Sequence, residues 1–107
     1  MSILETIFHL VILSILNKVL LQLIEKLQPD FVFYLSGVDV LGSDKFGKLK
    51  LTVDGCRQRD MSVYSLLKKY KIPCVTSMGG GYSEDIKVIV EAHCNTFRVA
   101  KQVFELR

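Results

Sequence analysis

Phe31-Val32-Phe33-Tyr34-Leu35-Ser36-Gly37 decides the fold. It is an unbroken apolar, aromatic and β-branched run of strand length, with no polar alternation before Ser36. Such a run predicts a strand buried on both faces, as in a parallel sheet. Gly37 ends it. A second run, Cys74-Val75-Thr76-Ser77-Met78, opens after Pro73 and reads as a second strand.

Helical patterns flank both strands. Leu16, Val19, Leu20, Leu23, Ile24 and Leu27 repeat at i, i+3, i+4 spacing and predict a helix that stops before Pro29. Asp54 is placed to cap a helix from about Gly55 to Tyr70, with Val63, Leu66, Leu67 and Tyr70 on its apolar face. Ser83 is placed to cap a last helix, with Glu84 and Asp85 at its positive end. That helix carries Ile86, Ile89, Val90, His93, Phe97, Ala100 and Phe104 on one stripe. The order helix-strand-helix-strand-helix implies an α/β fold, with a parallel sheet and right-handed crossovers. Two loops, at 37–47 and 79–82, then follow the C-terminal ends of strands, where open α/β sheets place ligands.

Composition excludes several classes. The chain has 107 residues, 50% hydrophobic and 23% charged, which suits one small globular domain or a piece of a larger one. The net charge of +3 is mild, and its densest basic group, Lys68, Lys69 and Lys71, reads as a solvated helix end, so no nucleic-acid partner is expected. Cys56, Cys74 and Cys94 show no CxxC spacing and are odd in number, which predicts free thiols in a reducing cytoplasm. Ile7 to Leu16 is strongly apolar but is interrupted at Asn17 and Lys18, short of a membrane span. A buried helix is expected there, with a membrane-associated segment as the minority reading, and no signal peptide is expected.

The chemistry-bearing residues sit in the two loops. Asp39 follows the first strand closely, where its carboxylate is available as a hard oxygen ligand for zinc. Gly79-Gly80-Gly81 lets backbone approach a substrate, and Tyr82 can offer a phenol to a developing oxyanion. Each signal alone is weak. Asp39 can equally be a loop or capping residue, Tyr82 a packing residue, and the glycines a phosphate cradle at the start of the last helix.

Taken together, Pro29-Asp30-Phe31-Val32-Phe33-Tyr34-Leu35-Ser36-Gly37-Val38-Asp39-Val40-Leu41-Gly42-Ser43-Asp44-Lys45-Phe46-Gly47 resembles the strand-and-loop signature of histone deacetylases. The nearest flavour is that of class IV enzymes and bacterial acetoin-utilisation proteins. Leu49 to Thr52, Arg59-Asp60 and Thr76-Ser77-Met78-Gly79-Gly80-Gly81-Tyr82-Ser83 continue the resemblance in order, over roughly residues 17 to 104. It implies part of an arginase/deacetylase-type sheet. It also implies a zinc-held water that attacks an acetamide carbonyl, with acetylated lysine or a small acetylated amine as substrate. Asp39 matches the last of three protein zinc ligands. Tyr82 matches the tyrosine that hydrogen-bonds the carbonyl oxygen as it becomes negative. Gly80 and Gly81 match glycines lining the acyl-lysine channel. Asp44 matches a structural loop acid, and Arg59 and Asp60 a supporting ion pair.

The resemblance also names what this sequence lacks. The family's Asp-x-His pair and His-His pair have no counterpart, since the only histidines are His9 and His93. His9 lies in the apolar run with no visible partner. His93 lies mid-helix, where Glu91 two residues away faces another direction, and is read as a satisfied core histidine. Residues 1–16 fall outside the pattern, and 17–107 read as the C-terminal part of a deacetylase-like domain. The expectation is a truncated chain that binds zinc weakly and is inactive alone. The alternatives are a non-enzymatic remnant and an interaction module pairing with a chain that supplies the upstream half.

Overall fold

The computed structural model describes residues 3–38, 41, 51–81 and 85–105. Helix α1 spans Ile3–Leu27, strand β1 Val32–Gly37, helix α2 Val53–Lys69, strand β2 Cys74–Gly79 and helix α3 Ile86–Val103. The expected α/β order is present. β1 and β2 pair in parallel, in a register that sets Val32 opposite Cys74 and Gly37 opposite Gly79.

Both helix starts differ from expectation. Thr52, not Asp54, caps α2: its backbone is extended (φ −78°, ψ 168°) and its Oγ1 accepts from the Gly55 amide at 2.9 Å. Asp54 falls in the first turn instead, bonded to Arg57 at 2.9 Å and Gln58 at 2.7 Å. The Arg57 bond chiefly holds its carboxyl below the usual range. Asp85 rather than Ser83 caps α3, accepting from the Lys87 amide at 3.0 Å; Ser83 lies outside the described residues.

The sheet is covered on one face only, which corrects the expectation of burial on both. Along β1, Tyr34 and Ser36 turn inward while Phe33 and Leu35 are 82% and 68% exposed. The α2 crossover and the following α3 lie against the same side, so among the described residues nothing covers Phe33, Leu35 and Val75.

α3 is rotated from the expected stripe for the same reason. Its buried positions are Ala92, Thr96 and Val99, spaced i, i+4, i+7 against α2 and β1, while Ile86, Val90 and Phe97 are exposed. Small Ala92 and Thr96 let the helix approach the sheet. On α1, Ile24 is buried and Leu16 and Leu20 pack beside it, but Val19, Leu23 and Leu27 face outward.

The interruption at Asn17 and Lys18 does not end the apolar stretch of α1. Ile7–Leu27 is long and apolar enough, by length and composition, to cross a membrane. Several of its side chains are nonetheless tied into the protein. Leu13 and Ile24 are buried, Ile12 packs on the core around Val38, Leu41, Leu51 and Cys56, and His9 is buried beside Thr52. The second core cluster joins Ile24, Val63, Leu67 and Ile72 beneath the start of the sheet.

Candidate functional site at the C-terminal edge of the sheet

Level strand ends define the candidate site. Because Gly37 stands opposite Gly79, the two strands end level, and Val38 and Gly80 follow them at the same edge. Val38 is still bound to that edge, its amide donating to the Gly79 carbonyl at 2.9 Å, and the Leu41 amide donates to the Val38 carbonyl at 3.1 Å. Leu41 then pairs with Leu51 in an isolated parallel bridge, and both side chains are buried.

The glycines after β2 are required by conformation. Gly80 has φ 72° and Gly81 φ 110°, values that side chains other than glycine rarely adopt. At Gly81 a Cβ would also lie 3.0 Å from Ile89 Cγ2 and 3.8 Å from Val38 Cγ2. The bare backbone here lets α3 close against the strand end.

Behind this edge lies a buried polar network. Asp60 of α2 is fully buried. Its Oδ1 accepts from Tyr34 Oη at 2.5 Å, from Arg59 Nε at 3.1 Å and Nη2 at 3.0 Å, and from Ser36 Oγ at 3.3 Å. Its Oδ2 accepts from Thr96 Oγ1 at 2.6 Å. The Ser36 and Thr96 hydroxyl oxygens also lie in hydrogen-bond contact with each other, at 3.0 Å. Arg59 Nη2 donates to Ser36 Oγ at 3.0 Å, and Nη1 donates to the Gly37 carbonyl. Period-two alternation puts Tyr34 and Ser36 on one face of β1, which is why one carboxylate reaches both. Burial pushes the Tyr34 phenol far above its ordinary value against the lowering effect of the Arg59 charge, with the Asp60 charge adding to the rise, so it stays a donor. The expected Arg59–Asp60 ion pair is therefore present, with a larger set of partners than sequence suggested.

The histidines also differ from expectation. His9 has a partner: its Nε2 accepts from the Thr52 amide at 3.3 Å, which ties α1 to the start of α2. His93 is not fully satisfied, because its Nδ1 is buried without a hydrogen-bond partner among the described residues. Burial, and then the Arg59 charge, hold its pKa below the ordinary 6.5.

Of the residues singled out from sequence, Gly80, Gly81, Arg59 and Asp60 are placed around one strand edge. Asp39, Asp44 and Tyr82 lie outside the described residues. Among the described residues no group of three or more His, Cys, Asp or Glu side chains could hold a metal ion, so the described part does not by itself form a zinc centre. Sequence reasoning missed Tyr34, Ser36 and Thr96 as partners of Asp60. The signal available was the polar Ser36 and the Tyr34 hydroxyl at alternate positions of an otherwise apolar strand.

This geometry can be set beside known proteins. A family model described as the histone deacetylase domain matches residues 6–97, so its match begins inside α1. The chain belongs to the histone deacetylase family. An uncharacterized protein of Picosynechococcus sp. (strain ATCC 27264 / PCC 7002 / PR-6) is 38% identical over 94 residues, covering 86% of this chain and 31% of that protein. Histone deacetylase 2 of Arabidopsis thaliana is 36% identical over 72 residues, covering 66% of this chain and 19% of that protein. The chain thus spans under a third of the length of either relative. The family is generally zinc-dependent and acts on acetylated substrates.

Proposed function

We propose that this chain is the C-terminal part of a zinc-dependent deacetylase domain that hydrolyses acetyl-lysine or a small acetylated amine in the cytoplasm. Asp39 would supply one of three zinc ligands, Tyr82 the hydrogen bond to the developing oxyanion, and Gly80 and Gly81 the channel wall. One ligand does not hold zinc tightly, so the chain is inactive until an upstream part supplies the remaining ligands and the general base.

The observation that carries this proposal is the register of Gly37 against Gly79. It brings the last residues of the two strands level, Asp39 and Tyr82 follow those residues by two and three positions in the chain, and the family match spans both. The test is deacetylation of an acetyl-lysine peptide by this chain alone and after co-expression with the upstream two-thirds of the Picosynechococcus relative. Zinc-dependent turnover only in the combined sample, abolished by Asp39→Ala and Tyr82→Phe, is expected. Turnover by the chain alone, or turnover indifferent to Asp39→Ala, would overturn it.

A second reading, a non-enzymatic module that pairs with another chain, is favoured by the uncovered sheet face around Phe33, Leu35 and Val75. Stable co-purification with the upstream part, without turnover, would select it.

A further inference from the structure

We infer that Arg59 is a positioning residue that fixes where β1 leaves the sheet, gripping the Gly37 carbonyl and the Ser36 hydroxyl from the first half of α2. Its functional meaning rests on the deacetylase reading above, because residue 39 follows this grip by two positions in the chain.

The geometry goes beyond a charge pair. Arg59 places Nε and Nη2 on Asp60, Nη2 also on Ser36, and Nη1 on the Gly37 carbonyl. Val32 and Val38 donate their amides to Pro73 and Gly79 on the β2 side. Alternate residues of a strand direct their backbone groups to opposite edges, so the Gly37 carbonyl faces away from β2. Arg59 takes up that carbonyl at the last residue of the strand. The guanidinium is itself held in plane by Asp60, which Tyr34 and Thr96 secure from the strand and from α3. A planar fork with fixed partners transmits the position of two helices to one backbone carbonyl, which a lysine ammonium does not reproduce. With a side chain only 13% exposed, Arg59 is shielded from competing water.

Amide hydrogen exchange on the full chain tests this, comparing wild type with Arg59→Lys and Arg59→Ala. A charge-assisted bond at the strand end predicts about tenfold faster exchange, or more, at Val38 and Leu41 in both variants. The Ile72 and Cys56 amides, held by the Leu67 and Thr52 carbonyls, should keep their wild-type rates. Equal acceleration at all four amides would mean that Arg59 is only a general stabilising contact, and unchanged rates at Val38 and Leu41 would mean that it holds nothing there; either result overturns the inference. Arg59→Lys keeps a cation beside Asp60, so it answers the question if Arg59→Ala does not fold. No metal enters this measurement, so its outcome is separate from that of the Asp39→Ala activity test.

Discussion

Thr96 of α3 donates a 2.6 Å hydrogen bond to the carboxylate of Asp60 on α2, and both residues are buried. This bond joins the two helices across the inner face of the sheet. Thr96→Val keeps the shape and removes the donor. The expected cost is about 1.5–3 kcal/mol, the range for a hydrogen bond to a charged group. Urea denaturation checks it, and a loss below a few tenths of a kcal/mol would show that Ser36, Tyr34 and Arg59 suffice.

Asp60→Asn should cost more. It leaves the Arg59 guanidinium, largely buried, without its counter-charge, and breaking a buried pair in this way costs roughly 3–5 kcal/mol. Denaturant midpoints of Asp60→Asn and Thr96→Val measured side by side check the order of the two effects.

Gly80 and Gly81 both sit at positive φ, and Gly81 is also crowded by Ile89. Gly80→Ala carries the cost of a positive φ, about 1 kcal/mol. Gly81→Ala adds a Cβ at 3.0 Å from Ile89, and its expected cost is about 1–3 kcal/mol. Thermal unfolding of the two variants should therefore rank Gly81→Ala as the less stable. If Gly80→Ala were the worse of the two, Gly81 would not be the packing contact between β2 and α3.

His93 makes stability depend on pH. Its folded-state pKa lies below the ordinary 6.5, through burial and then the charge of Arg59, with Asp60 opposing. Below that ordinary value the unfolded chain takes up a proton that the folded chain resists, so stability falls as the pH drops from about 7 to about 5. His93→Gln should flatten the slope in that window. Melting temperatures at several pH values check it, and an identical slope in the variant would place the titration elsewhere.

Phe33 offers a test of the uncovered face. It is 82% exposed beside Phe31, with a ring-to-ring distance of 5.1 Å, and next to Val75 in the sheet. Exposed apolar faces of this kind drive association. Phe33→Ser should lower self-association in sedimentation while leaving the melting temperature nearly unchanged. A large drop in melting temperature instead would show that Phe33 belongs to the core of the lone chain.

Periodicity was enough for the element order, both strands, their parallel pairing and the placement of Gly80 and Gly81 at a strand end. Apolar run length and helical spacing are local quantities, so Phe31 to Leu35 and the α2 stripe around Val63 and Leu67 announce themselves. The ordered motifs around Ser36-Gly37 and Gly79-Gly80-Gly81 likewise sufficed for the family. Which face of each element is buried could not be settled locally. α3 has two adjacent apolar stripes, and only its contact with α2 and β1 selects Ala92, Thr96 and Val99 over Ile86, Val90 and Phe97. The Asp60 network is equally a product of the tertiary fold. Tyr34, Ser36, Arg59 and Thr96 meet one carboxylate from two helices and a strand, up to 36 residues away along the chain. Burial then makes each of those bonds strong, because a charge removed from water must find its partners within the protein.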